Sequence, residues 1–330
     1  MSLCRALLNP GAWTAMLGRL LGVMIGLTPL IAEAAWPDKQ VTVIVPYAAG
    51  GNTDIMARIL ADELQRKFGQ PFIVENRPGA GGALGAQHVA RSPADGYTLL
   101  FGTTAQLSIL PFIQKINYDQ LKDFAPIAVF GQSFSILGIH RSVPATDLQG
   151  FIAYVKANPG KVNYASGGVG TVGHLVSALF AARVGLTMTH VPYKGGSQSM
   201  ADLLAGQVQM YFGNSSELLP YKSSDLVRLI AVGTPARVAQ LPDTPTVAES
   251  YPGFSLPAWN GLLAPAGTPR DIIDALAKSA VEAANFPAVS KKLVDLGIDP
   301  GKAMADELSA IIKGEQPLYQ AAVKAAGIEP

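Results

Sequence analysis

Gln40-Val41-Thr42-Val43-Ile44-Val45-Pro46 runs into Tyr47-Ala48-Ala49-Gly50-Gly51-Asn52-Thr53-Asp54, and behind it Ile55, Met56, Ile59, Leu60, Leu64 and Phe68 recur at helical spacing. The first seven residues are rich in β-branched side chains and do not alternate with polar ones, as in a strand buried on both faces. The apolar stripe that follows belongs to a helix, and Gly69 stops it. Strand, glycine-rich turn and helix in that order open an α/β unit.

The same order continues outward. Phe72–Glu75 reads as a strand, Asn76–Gly82 as a turn-rich loop, Ala83–Arg91 as a helix and Tyr97–Gly102 as a third strand, with further strands at Ile127–Phe130 and Phe134–Ile139. A mostly parallel sheet covered on both faces is expected. The pattern restarts in the middle of the chain. A helix is expected over Thr146–Asn158, with Thr146 and Gln149 at capping-box spacing. The strand Val162–Ala165 then meets Ser166-Gly167-Gly168-Val169-Gly170-Thr171 and a helix to about Val184. Met188–Val191, Val208–Phe212 and Val227–Val232 read as strands, and Gln198–Ala205 and Glu217–Lys222 as helices. Leu241–Phe254 is rich in Pro and turn formers and reads as a crossover. Helices are expected near Arg270–Asn285, Pro287–Leu296 and Ala305–Ala326. If these closing helices pack on the first unit, the chain crosses twice between two units, and the cleft between them is the natural ligand site.

Composition narrows the function classes. The chain has 330 residues, of which 15% are charged and 49% apolar, with 34 Gly, 24 Pro and a formal net charge of +1. It is too apolar to be disordered, lacks the basic excess of a nucleic-acid binder, and is long enough for two domains. Residues 1–34 read as a secretory signal peptide. Arg5 and Arg19 supply positive charge, Leu20–Ala32 is an apolar run of 13 residues, and Ala32-Glu33-Ala34 fits the small-x-small cleavage rule. Pro29 and the shortness of the run argue against an uncleaved anchor, and the absence of a twin-Arg pair favours the general secretory route. The mature chain is then expected to start at Ala35, with 23 basic and 23 acidic residues and without Cys4, the one cysteine. No disulfide, thiol nucleophile or cysteine metal ligand is expected in it, and a bacterial periplasm suits such an export product.

The chemistry points to the two glycine-rich turns. Gly50-Gly51 and Gly167-Gly168 each precede a helix, whose first N–H groups are unpaired and carry the positive end of its dipole. Asn52, Thr53, Ser166 and Thr171 add short polar side chains, and neither turn holds Lys or Arg. Neutral dipoles suit a releasable carboxylate better than a multiply charged phosphate. Taken singly, each turn is equally a plain start of a helix that binds nothing. Gly168-x-Gly170-x-x-Gly173 matches a dinucleotide fingerprint, but the acidic residue expected about 20 positions on is replaced by His190-Val191-Pro192-Tyr193-Lys194.

Signals for catalysis are poor. There is no G-x-S-x-G elbow and no HExxH, and His88, His140, His174 and His190 are scattered without metal-ligand spacing. No metal and no cofactor is expected. His174 and His190 read as core or loop histidines, and His174 stands one turn beyond Thr171, where it can brace the second turn. Asp54 reads as a complement to the helix dipole, with contact to a ligand amine or a water as its alternative. Trp259 is either a cleft wall or ordinary packing. Asn76-Arg77-Pro78-Gly79 reads as an ordered surface turn in preference to a transporter contact.

A family resemblance rests on many of these residues together. Val45-Pro46-Tyr47-Ala48-Ala49-Gly50-Gly51-x-x-Asp54-x-x-Ala57-Arg58, Val74-Glu75-Asn76-Arg77-Pro78-Gly79-Ala80-Gly81-Gly82 and Asp95-Gly96-Tyr97-Thr98-Leu99-Leu100 begin it. Tyr164-Ala165-Ser166-Gly167, Gly170-Thr171, His174-Leu175 and His190-Val191-Pro192-Tyr193-Lys194-Gly195 continue it. Leu241-Pro242-Asp243-x-Pro245-Thr246-Val247-Ala248-Glu249 and Gly261-Leu262-Leu263-Ala264-Pro265-Ala266-Gly267-Thr268-Pro269 close it. In combination, from about Trp36 onward, the chain resembles the solute-binding proteins of tripartite tricarboxylate transporters, the Bug-type receptors.

The resemblance implies a type II periplasmic binding protein fold, α/β, with two lobes and a Venus-flytrap cleft. It implies a lobe I of residues 35–133 plus 254–330 and a lobe II of residues 134–253. It further implies capture of a small carboxylate or amino-acid-like metabolite, through Tyr47, Ala49, Gly51, Asn52, Asp54, Thr103 and Thr104 of the first lobe and Ser166, Gly168, Gly170, Thr171 and His174 of the second. Delivery to a membrane permease follows, although many family members lack an adjacent one. A monomer without nucleic-acid partners is expected. One departure is Phe212-Gly213-Asn214, where the family often has Phe-Asp-Asn, so a possible acceptor at the cleft edge is gone. Two other classes stay open: an exported α/β hydrolase using Ser166 or Ser197 with His174 or His190, and a sensor subunit that presents its closed form to a membrane kinase.

Overall fold

The computed structural model describes residues 36–328. The expected signal peptide lies outside the described residues. The opening strand β1 (Val41–Val45) pairs in parallel with β2 (Phe72–Asn76) and β3 (Thr98–Thr103). Helix α1 (Asn52–Phe68) lies between β1 and β2, buries Met56, Leu60 and Leu64, and ends at Gly69, whose N–H bonds the Gln65 carbonyl. Helix α2 (Ala83–Ala90) precedes β3. The sheet then takes in β4 (Phe124–Ser133), β10 (Ala258–Pro265) and β11 (Ile298–Pro300), in the order β11-β4-β10-β3-β1-β2.

A second sheet follows the order β7-β6-β8-β5-β9, built from β5 (Ser135–His140), β6 (Asn163–Ser166), β7 (Thr189–Pro192), β8 (Met210–Asn214) and β9 (Val227–Val232). Its helices are α3 (Leu148–Ala157), α4 (Val172–Val184), α5 (Gly196–Leu204) and the single turn α6 (Ser215–Leu218). The crossover after β9 holds one short helix, α7 (Val247–Ser250).

The expectation of mostly parallel sheets is corrected. Among the strand pairings, β10 runs antiparallel to both β3 and β4, β11 antiparallel to β4, and β5 antiparallel to β8 and β9. The cause is the connection between sheets. The chain leaves the first sheet through β4, turns at Phe134 straight into β5, and re-enters through β10, so these strands oppose the βα-linked ones. The strand β10 is absent from the sequence reading because all eight of its residues are buried, and a two-sided burial leaves no alternation to detect. Gly261 inside it also mimics a breaker. In the fold it sits at a register shift where an added Cβ would come 2.5 Å from the Ala128 carbonyl oxygen.

Helix α8 (Arg270–Asn285) packs on β4, α9 (Pro287–Asp295) adjoins β11, and α10 (Ala305–Ala325) closes the chain. The first half of α10 gives Leu308 and Ile312 to a core with Ile44, Leu100 and Trp259. Its second half gives Tyr319, Ala322 and Val323 to a core with Phe180, Val184 and Phe212. The closing helix thus spans both cores and is not confined to the first unit. In the second core Phe180, Phe212 and Phe254 meet pairwise at 6.1–6.3 Å between ring centres, contacts worth about 0.5–1.5 kcal/mol each beyond area burial. The cap of α3 is also one residue from its expected place: Asp147, not Thr146, accepts the Gly150 N–H at 2.8 Å, and Gln149 turns to Ser250. Among the described residues no helix is long and apolar enough to cross a membrane.

Candidate functional site

Both glycine-rich turns form where expected, and they open onto one cleft. The cleft is lined from the first sheet by Tyr47, Gly51–Asp54, Thr103 and Ala258–Asn260, and from the second by Gly167, Thr171–Gly173, Gly195, Gly196, Tyr211, Asn214 and Glu217. The first turns of α1, α4 and α5 therefore meet at the same space, and the leading N–H groups of a helix have no intrahelical acceptor.

Asp54 fastens the first turn from behind. Its carboxylate accepts the Gly50 N–H at 2.9 Å, the Asn76 Nδ2 at 2.8 Å and the Arg58 Nε at 3.0 Å. Burial alone would raise its pKa, but these donors and the Arg58 charge together hold it below the usual range. Asn76 also donates to the Tyr47 carbonyl at 3.0 Å, so Asn76–Gly79 serves as a clasp on the first turn. Tyr47 Oη accepts from Gln106 Nε2 at 2.7 Å and donates to the Gly81 carbonyl. Thr53 Oγ1 donates to Asn260 Oδ1 at 3.1 Å.

The second turn is fixed by its own side chains. Thr171 caps α4, accepting from the His174 N–H and donating to the Gly168 carbonyl at 2.8 Å. Ser166 accepts the Gly168 N–H, and its hydroxyl lies 2.7 Å from His190 Nε2. The Gly170 N–H donates to His174 Nδ1 at 3.3 Å, so His174 braces the turn from within. Tyr164, His190 and His174 form a stack, with ring centres 4.9 and 4.2 Å apart. Burial pushes both histidines down to about 4, with His174 adding to the effect on His190, and both are neutral at pH 7.

The expected residues thus divide. Tyr47, Gly51, Asn52, Asp54, Thr103 and Thr171 line the cleft, whereas Ala49, Thr104, Ser166, Gly168, Gly170 and His174 stand outside its lining. Ala49 is exposed and its carbonyl accepts from Ser197 Oγ at 2.8 Å. Thr104 is fully buried, where its hydroxyl accepts the Trp259 N–H. The Ser166–His190 pair has the spacing of a nucleophile and its base, but Ser166 is fully buried and the imidazole's other neighbours are rings.

Sequence reading overlooked Glu217, which reaches across the cleft. Its Oε1 accepts the Asn52 N–H at 3.0 Å, and its Oε2 accepts Tyr211 Oη at 2.6 Å and the Asn214 N–H at 3.1 Å. Beside it, Ser216 Oγ donates to Asn52 Oδ1 at 2.7 Å. The local signal, Asn214 three residues before Glu217, is a helix-cap pattern and points to nothing further. Gly213 is explained by the same contact: a Cβ there would lie 2.2 Å from the Tyr211 ring, whose hydroxyl must pass over it to reach Glu217.

The family described as "Tripartite tricarboxylate transporter family receptor" matches residues 56–328. Protein BugT of Bordetella pertussis is 34% identical over 314 residues, which cover 93% of this chain and 96% of that protein. The structure of an R. palustris protein with adipate superposes with a TM-score of 0.86 at 32% identity, covering 89% of this chain and 99% of that one. The periplasmic binding protein BugD superposes equally, with a TM-score of 0.86 at 33% identity and the same coverage of both chains. Its fold is accordingly that of the two-lobed periplasmic binding proteins, and the chain belongs to the tripartite tricarboxylate transporter receptor family of solute-binding proteins.

Proposed function

We propose that residues 35–133 plus 254–330 form one lobe and residues 134–253 the other, with the second half of α10 reaching over to the second core, and that the lobes close on a small carboxylate or amino-acid-like metabolite. One observation carries this reading: the first turns of three helices of eight or more residues, α1, α4 and α5, line a single cavity together with both glycine-rich turns. Unpaired N–H groups and the positive dipole ends then solvate a carboxylate without a counter-charged side chain. A relative solved with adipate supports a carboxylate ligand.

In this reading Tyr47, Gly51, Asn52, Asp54, Thr103 and Thr171 face the ligand. Ala49, Thr104, Ser166, Gly168, Gly170 and His174 set the shape of the turns. Closure is a hinge motion at Phe134 and at the crossover 233–257, and capture involves no covalent step. The receptor acts as a monomer in the periplasm, reached by cleavage after Ala34, and hands its ligand to a tripartite-type permease.

The test is a thermal titration of the ligand-stripped mature protein with a panel of carboxylates and amino acids, guided by native mass spectrometry of what co-purifies. A true ligand at one hundred times its Kd adds about 2.7 kcal/mol to stability, a rise of several degrees in Tm. If no member of the panel moves Tm, the receptor reading fails.

A further inference from the structure

We propose that Glu217 is the specificity-determining residue of the cleft, and that it restricts the site to ligands pairing one carboxylate with an ammonium group. The inference rests on the reading of the cleft given above and narrows its ligand class.

Glu217 comes from the second sheet's side, yet its Oε1 takes the Asn52 N–H at the start of α1. That is the place where a ligand carboxylate would accept from the first turn. The site is built around this carboxylate. An added Cβ on Gly196 would lie 1.9 Å from Oε1, and one on Gly51 would lie 3.3 Å from it. Gly213 leaves room for the Tyr211 ring that fixes Oε2. Oε2 accepts from Tyr211 Oη and from the Asn214 N–H and Nδ2. Oε1 takes the Asn52 N–H alone among the described residues, and a carboxylate oxygen can accept more than one donor. Oε1 therefore keeps capacity for a second donor, on a residue that lines the cavity.

The charge of the wall agrees. Asp54 and Glu217 are its ionisable carboxylates, and the lining has no Lys, Arg or His. Arg58 covers Asp54 from the outer side at 3.0 Å. Glu217 has dipolar donors only. A dicarboxylate spanning the cleft would set its second negative group against Glu217, whereas an ammonium there donates to Oε1 as a charge-assisted hydrogen bond. The ligand's own carboxylate then lies toward Thr171–Gly173, at the start of α4.

The test uses matched pairs in which an ω-amino acid and a dicarboxylate share the same methylene spacer, from 3-aminopropanoate against succinate to 5-aminopentanoate against adipate. The matching ω-hydroxy acids form a third arm. Calorimetric titration of the wild type is expected to favour the amino member of the best-fitting pair by about tenfold or more. Glu217→Gln is expected to reduce that ratio to near one, or to invert it. Ser216→Ala, which removes the neighbouring contact to Asn52 without changing charge, is expected to weaken both members alike and keep the ratio. If Glu217→Gln does not fold, the wild-type ratio alone decides. Equal or tighter binding of the dicarboxylate or the hydroxy acid by the wild type overturns the inference and leaves the receptor reading standing. A wild type that binds no member of any pair overturns the inference, and the receptor reading then fails only if the broader thermal panel is silent as well.

Discussion

Gly81→Ala isolates closure of the cleft from stability of the fold. Gly81 has φ +64° and ψ 16°, a left-handed conformation that costs an L-residue about 1–2 kcal/mol. An added Cβ would also lie 2.0 Å from the carbonyl oxygen of Val169, in the opposite turn, and 3.1 Å from Leu110. Relief of that overlap needs a separation of more than 1 Å. The 79–82 segment cannot easily supply it, because Tyr47 Oη and Gln106 Nε2 both donate to the Gly81 carbonyl and Gln114 Nε2 to that of Ala80. The separation must come between the two turns. At the usual cost of overpacking, about 1–3 kcal/mol, ligand affinity falls by roughly five- to 150-fold. Gly69→Ala is the control. It has φ +72° and nothing within 4 Å of the added Cβ, so it carries the backbone cost without the contact. Both variants should lower Tm by a similar few degrees, and only Gly81→Ala should weaken binding by calorimetry. An unchanged Kd in Gly81→Ala would show that the two turns need not approach this closely for capture, and the reasoning would fail.

Two further outcomes follow, one from a buried carboxyl group and one from a helix cap. Burial raises Glu315 from the ordinary 4.5 to about 7, against the opposing bonds from Ser108 and Trp259 Nε1. The folded state thus holds the proton more tightly than the unfolded one. The associated stability is full below about pH 4.5 and is lost as pH rises through 7, up to about 3 kcal/mol in all. Urea unfolding of the wild type should follow this slope, and Glu315→Gln should flatten it. Asp147→Ala removes the α3 cap and should cost about 0.5–2 kcal/mol, whereas Thr146→Ala should cost less; the opposite ranking in chemical denaturation would restore Thr146 as the cap.

What was legible in the sequence depended on the range of the interactions. The turn at Gly50–Asp54 and the one at Ser166–Thr171 are local devices, written in adjacent residues, and both sit where their spacing places them. The helix bounds at Gly69 and Arg270–Asn285 are local as well. Asp147 and Thr146 are neighbours that can each accept an N-cap bond, and the direction of the backbone at Asp147, φ −144° and ψ 175°, decides between them. The strand Ala258–Pro265 left no periodic signal because both its faces are covered. Glu217 lay furthest out of reach: its bond to Asn52 joins residues 165 apart, and beside Asn214 it looks like a helix cap, a role it also fulfils.

The contacts that cross the cleft bear on how it can open. Ala48 N–H donates to the Lys194 carbonyl, Ser197 Oγ to that of Ala49, Asn52 N–H to Glu217 and Ser216 Oγ to Asn52. Each is a polar bond whose partners water would solvate on opening, so each contributes only about 0.5–1.5 kcal/mol. Apolar contact between the two cores is carried by α10, through Tyr319, Ala322 and Val323. The polar bonds across the cleft are each weak enough to break thermally, and a ligand with a few kcal/mol of differential affinity biases them toward the closed arrangement. Helix-end dipoles together with Glu217, the carboxylate without a paired Arg, supply interactions of that size. They also let the ligand leave, which a paired Lys or Arg would hinder.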